Sequence, residues 1–240
     1  MQKFLTAEWR KLIMANYEVS PSLLQPMLPA GTEIDRYNNK AFVSLVGFMF
    51  NNTKVLGVKI PFHINFPEVN LRFYVRFKEK TEWRRGVVFI REIVPKPAIT
   101  FVANSLFKEK YVTLPMQYSI DSGNGLKVSY RWKHKKAWYS VEAEADNIKQ
   151  TIAAGSEEEF ITHQSAGYSV IRPGVTSEYL VYHPLWELYP VQRYNIACDF
   201  EKVYGRGFGF LCSQSPQSVY LVEGSPVTVY NKRVIDLTAS

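Results

Sequence analysis

Cysteine is scarce in this chain. Cys198 and Cys212 are the only two in 240 residues, too few for a disulfide-stapled scaffold, and neither has a Cys or His nearby at zinc-ligand spacing. Long apolar runs are also missing. The most hydrophobic stretch, residues 41–50, stops at Asn51-Asn52, well short of the roughly 18–20 residues a membrane span needs. Glu8 and Arg10 interrupt the opening residues before the apolar core of a secretory signal can form, so a cytoplasmic protein is expected, with both thiols reduced and buried as small hydrophobes. There is no internal repeat, low-complexity tract or Pro/Ser linker, and residues 1–240 read as one domain. No Gly-x-Ser-x-Gly elbow occurs, and Gly205-Arg206-Gly207-Phe208-Gly209 lacks the strand before it and the helix after it that a phosphate loop requires. Among His63, His134, His163 and His183 no two share ligand spacing with a third acidic or thiol group, so neither a metal nor a cofactor is expected.

Aromatic residues are plentiful: 15 Tyr, 15 Phe and 5 Trp favour strands over helices. Residues 41–50 are too apolar for a half-exposed strand and predict a central strand covered on both faces. Residues 71–78 alternate cleanly, with Leu71, Phe73, Val75 and Phe77 on one face and Arg72, Tyr74, Arg76 and Lys78 on the other. In residues 86–94 strict alternation places Arg91 with Val87 and Phe89, opposite Glu92. Residues 98–110 have helical spacing, and Ser122-Gly123-Asn124-Gly125 marks a hairpin between the strands 116–121 and 126–132, followed by a strand at 137–145. Ser20-Pro21 and the capping box Ser156-Glu157-Glu158-Glu159 open helices, the second running to about Tyr168. Residues 11–19 are mixed, 177–183 form a strand, 194–204 suit a helix, and 218–221 with 227–230 end the sheet. The expected class is α+β, mainly β, with a largely antiparallel sheet of nine or ten strands that curls to remove its edges.

The net charge is +7, part of it concentrated in Arg131-Trp132-Lys133-His134-Lys135-Lys136. That cluster falls on a hairpin rim and reads as a solvated turn. Its alternative is a nucleic-acid surface, with Trp132 and Trp138 as stacking groups.

Four segments, taken in order, carry a family resemblance: Glu68-Val69-Asn70-Leu71-Arg72-Phe73-Tyr74-Val75, Arg85-Gly86-Val87-Val88-Phe89, Glu158-Glu159-Phe160-Ile161-Thr162 and Val181-Tyr182-His183-Pro184-Leu185-Trp186. The chain resembles the uncharacterised YqjF-like proteins, a domain-of-unknown-function family grouped with acetoacetate decarboxylase-like folds, over residues 8–235. The resemblance implies a curled antiparallel sheet forming a cone or barrel around a central cavity, with a few helices outside. It also brings in the decarboxylase chemistry, in which one lysine of a Phe-Pro-Lys-Lys-like turn forms a Schiff base while its neighbour depresses its pKa. The nearest match here is Arg91-Glu92-Ile93-Val94-Pro95-Lys96-Pro97, with Lys96 at the nucleophilic position, Glu92 beside it as the other catalytic candidate, and Pro97 in place of the second lysine. The family's aromatic run at the late helix is replaced by His163-Gln164-Ser165-Ala166-Gly167-Tyr168.

Three functions follow as expectations. The first is binding of a small carboxylate-bearing metabolite in the curled sheet, with Arg72, Arg91, Glu68, Asn70, His183 and Trp186 as contacts. The second is a decarboxylase-like lyase acting on a keto acid through Lys96. The third is a structural or nucleic-acid-binding module using the basic turn. The partner expected is a small anion, with no membrane partner and with a homo-oligomer left open.

Overall fold

The computed structural model describes residues 2–238. β1 (Lys3–Val19) lies between β15 (Ser218–Tyr230) and β3 (Ala41–Val55), antiparallel to both. Residues 11–19 look mixed because both faces of β1 are covered: Leu12 and Met14 pack on one side, and Ile13, Ala15 and Tyr17 on the other. Before β3 come the short helix α1 (Pro21–Leu24), opened by its proline as expected, and the strand β2 (Thr32–Ile34). β3 continues through β4 (Phe66–Glu79) to β5 (Glu82–Val94) as an antiparallel meander. Helix α2 (Pro97–Phe107) then leads to β6 (Tyr111–Thr113), which runs parallel to β5.

A second, four-stranded sheet packs on the outer face of the first. It consists of β7 (Met116–Asp121), β8 (Leu126–His134), β9 (Ala137–Ala145) and, after the short strand β10 (Gln150–Thr151) of the first sheet, β14 (Val191–Ala197). Val128, Tyr130, Trp132, Val141 and Ala143 from this sheet meet Ile13, Val43, Leu45, Leu71 and Phe73 from the larger one. The approach is close enough to require Gly47, since a Cβ there would sit 2.7 Å from the Tyr130 ring. Trp132 is therefore wholly buried rather than available for stacking. Residues 194–204 are not one helix: β14 pairs with β9, and only α4 (Phe200–Tyr204) is helical. An open sheet edge accepted residues whose local spacing also suited a helix.

Helix α3 (Glu157–Thr162) is shorter than expected, because residues from Ala166 onward join the sheet as β11 (Ala166–Arg172) and β12 (Val175–Tyr182). The Ser156 hydroxyl accepts from the Glu159 N–H at 3.2 Å, as the capping box predicts, but the Glu159 carboxylate accepts from Gly155 rather than Ser156. Ser156→Ala is expected to lower stability by about 1 kcal/mol, read as an earlier urea midpoint. β13 (Glu187–Tyr189) and β16 (Arg233–Asp236) complete the first sheet, in the order β10-β13-β15-β1-β3-β4-β5-β11-β12-β16. The sheet curls until β12 meets β15 over two residue pairs, without closing as a barrel. The acetoacetate decarboxylase-like expectation holds for the curled, mainly β architecture; closure does not.

Both cysteines are free, but Cys212 is exposed, which corrects the expectation that both are buried. No helix among the described residues is long and apolar enough to cross a membrane.

Candidate functional site

The concave face of the large sheet holds a cavity of about 230 Å³. That is larger than the ~150 Å³ that accommodates benzene and smaller than the ~300 Å³ at which drug-sized sites begin. Most of its wall is apolar, supplied by Trp9, Phe48, Phe50, Phe66, Phe89 and Ile99 among others. Along β4 the alternation read from sequence puts Leu71, Phe73 and Val75 into the core under the second sheet. Glu68, Asn70 and Arg72 face the cavity, and all three are buried.

β5 departs from simple alternation. Leu71 is opposite Arg91 and Arg72 opposite Phe89, so Ile90 is the extra residue of a β-bulge. The bulge resets the parity. Val87, Phe89 and Glu92 lie on the cavity side, whereas Arg91 turns to the outer face and donates to the Val203 carbonyl of α4. Arg72 and Arg91 therefore do not meet, and the two-arginine clamp expected from sequence is not assembled.

In place of a second arginine the fold brings Glu109, Tyr111 and Tyr179 to the site. The Asn70 amide donates to Glu68 Oε1 at 2.9 Å, and the Tyr111 hydroxyl donates to Glu68 Oε2 at 2.9 Å. Glu92, Glu109 and Tyr179 line the same wall, near enough for the charges of Glu68, Glu92 and Glu109 to act on one another. Asn70, Glu68, Tyr111, Glu92, Glu109 and Tyr179 thus form one buried polar cluster in the cavity wall. Glu92 Oε2 and Glu109 Oε1 have no hydrogen-bond partner among the described residues, and two carboxyls can share a hydrogen bond only when one of them carries a proton.

Burial is the main cause of the electrostatics. It raises Glu68 to about 7 against the pull of Asn70, Tyr111 and Arg72, and Glu109 to about 8 against the pull of Tyr179 and Lys110. Glu92 is pushed well up by burial and then by the charges of Glu109 and Glu68. Near neutral pH the cluster holds protons and can donate hydrogen bonds, as carboxylates cannot. Arg72 is the one arginine or lysine among the described residues of the cavity wall. It donates to the Ile161 carbonyl at 3.2 Å, while its buried Nε has no partner among the described residues. That hydrogen bond ties the last turn of α3 to the site.

Other residues singled out from sequence lie elsewhere. Lys96 is half-buried at the N-cap of α2 and is not part of the cavity wall. His183 and Trp186 stack on each other at 4.2 Å behind the wall. Trp186 donates to Ser225 at 2.8 Å, and His183 is held below the usual imidazole range by burial. Glu109 carried no signal in the sequence, since Lys108-Glu109-Lys110 reads as a solvated charge run. The alternation around Tyr179 could have placed that residue on one face, but not in a cavity.

Comparison with known proteins adds relatives to this geometry. The model of DUF2071, a family described as an uncharacterized conserved protein, matches residues 6–226. The uncharacterized protein YqjF of Bacillus subtilis is 27% identical over 178 residues, which cover 73% of this chain and 72% of that protein. Among solved structures, the enduracididine biosynthesis enzyme MppR complexed with pyruvate superposes with a TM-score of 0.70 at 13% identity, covering 100% of this chain and 93% of its own. Acetoacetate decarboxylase from Legionella pneumophila gives 0.67 at 12% identity, covering 99% of this chain and 90% of that one. At such identity these likenesses speak for the fold alone.

Proposed function

Since the chain belongs to the DUF2071 family of uncharacterized conserved proteins, we propose that it binds a small metabolite with an apolar body and a carboxylate or carbonyl head, seated in the cavity with the head on Arg72 and the protonated carboxyl cluster. One observation carries this reading. An otherwise apolar cavity ends in buried acids held uncharged and in a buried arginine Nε that lacks an acceptor. An oxygen-bearing head would supply that acceptor and take hydrogen bonds from the acids, while the aromatic wall covers the remainder. The pyruvate in one fold neighbour supports a small oxo acid as the first class to try.

A lyase reading through Lys96 has the fold likeness behind it, but the described residues of the cavity wall include no lysine. Borohydride reduction in the presence of pyruvate, followed by peptide mass spectrometry, separates the two. The binding reading expects Lys96 to remain unmodified, whereas trapped adduct on Lys96 would favour the lyase.

Binding itself is tested by calorimetry with 2-oxo acids of increasing chain length, from about pH 6 to about pH 9. Affinity for a carboxylate is expected to fall as the pH passes the values of Glu68 and Glu109, by up to roughly tenfold per pH unit for each linked proton. Arg72→Lys, which keeps the charge but loses the planar fork, is expected to weaken binding about tenfold or more. Alkylammonium ions provide the control. If they bind better than the oxo acids, and more tightly at high pH, the cavity is a cation site and the reading fails.

A further inference from the structure

Three segments meet at the cavity mouth: the start of β1, the loop between β3 and β4, and helix α2. Phe4 and Phe107 pack edge to face at 4.7 Å, and the Leu56 N–H donates to the Phe4 carbonyl at 2.8 Å. Ile60, His63 and Val102 line the opening. Apolar side chains on these segments project outward instead of covering the core. Phe62 is 87% exposed and Phe101 73%, with Leu56, Val58, Ile60 and Leu106 exposed around them. Leu56 and Phe62 also have φ of +50° and +64°, a left-handed conformation that bulky residues rarely adopt.

The charge on the same segments has one sign. Lys3, Lys54, Lys59, Lys108 and Lys110 are exposed and form no ion pair among the described residues. Across residues 1–7, 51–66 and 95–110 the single acidic residue is Glu109, which is buried in the cavity wall.

We propose that this rim docks on a bilayer surface containing anionic lipid, with the 56–64 loop and α2 lying in the interface. Exposed aromatic and aliphatic groups flanked by lysines match both layers of such a surface, the acyl boundary and the charged headgroups. A second copy of the chain is disfavoured as occupant, because self-association through this face brings unpaired lysines together without a carboxylate to meet them. That no helix among the described residues is long and apolar enough to cross a membrane does not bear on the matter, since surface docking needs none. The inference stands apart from the identity of the cavity ligand. It places the cavity mouth at the apolar boundary, where a ligand with an apolar body is concentrated.

The test is sedimentation of the full chain with vesicles of phosphatidylcholine alone and of phosphatidylcholine mixed with phosphatidylglycerol. Binding to the mixed vesicles is expected to exceed binding to the neutral ones by about tenfold or more and to weaken as salt is added. Phe62→Ser and Phe101→Ser together should lower binding at every salt concentration, and Lys54→Glu with Lys59→Glu should abolish the preference for phosphatidylglycerol. These side chains are exposed, so unchanged thermal unfolding of the variants confirms that the fold is intact. The proposal is overturned if the protein stays in the supernatant with mixed vesicles at low salt. It is equally overturned if the wild type is a dimer that Phe62→Ser converts to monomer, which would assign the face to a second copy.

Discussion

Raising the pH from about 6 to about 9 is expected to destabilise this protein by several kcal/mol, through its buried carboxyl cluster. Glu68 and Glu109 sit in the folded protein at about 7 and about 8, above the ordinary carboxyl value of 4.5 to which they return on unfolding. A group whose pKa is raised by folding holds more protons when folded, so its stabilising contribution is complete below the unfolded value and is lost as the pH rises through the folded one. Across this range the loss for Glu68 is on the order of 1 kcal/mol, because pH 6 already lies within a unit of its folded value; for Glu109, whose value is higher, it is on the order of 3 kcal/mol, and Glu92 acts in the same direction. His183, whose value is lowered by burial, works in the opposite sense, and its contribution is lost only as the pH falls below the ordinary imidazole range. Urea unfolding at the two pH values measures the effect. Glu109→Gln keeps the shape and removes the titration, so it should flatten the profile and raise stability at pH 9. A profile in which wild type and Glu109→Gln run parallel would show that these acids are not held protonated.

Glu178→Ala is expected to remove about 3–5 kcal/mol of stability. Glu178 has no exposed side-chain surface, yet its carboxylate accepts from Arg84 at 2.8 Å, from the Tyr168 hydroxyl at 2.9 Å, and from Arg233. Both arginines also pair with Glu79. Through these contacts β4, β5, β11, β12 and the C-terminal strand β16 are tied at one point. Removing the carboxylate strands two guanidinium groups that the remaining Glu79 cannot fully satisfy, and the penalty comes mainly from charge left unpaired near the interior. Glu178→Gln, which retains an acceptor, should cost less. Chemical denaturation of both variants checks the order, and a loss below about 1 kcal/mol for the alanine variant would show the cluster to be merely superficial.

The expectations met or missed have identifiable causes. Residues 41–50 announced a strand covered on both faces because their composition leaves no face for water, and β3 is buried on both sides. Residues 71–78 announced their alternation correctly, but the polar face divides: Arg72 enters the cavity wall, Tyr74 is buried against Phe160, and Arg76 and Lys78 reach the surface. Glu68, Asn70 and Arg72 reached the site because they lie on this regular strand. Arg91 missed it because a single extra residue at position 90 inverts parity, and nothing in Phe89-Ile90-Arg91 distinguishes a bulge from continued alternation. The apolar rim is not legible in the sequence, because an exposed phenylalanine looks the same there as a buried one.

The sequence by itself determined the strand-rich class, the α2 and hairpin positions, and one cavity-facing strand, since each depends on residues close together in the chain. Only the tertiary structure decided that Glu109, Tyr111 and Tyr179 join Glu68 and Glu92 in one buried cluster, and that Lys96 stands outside it. The physical reason is that burial sets the state of a carboxyl, and burial is created by side chains that arrive from strands far apart in sequence.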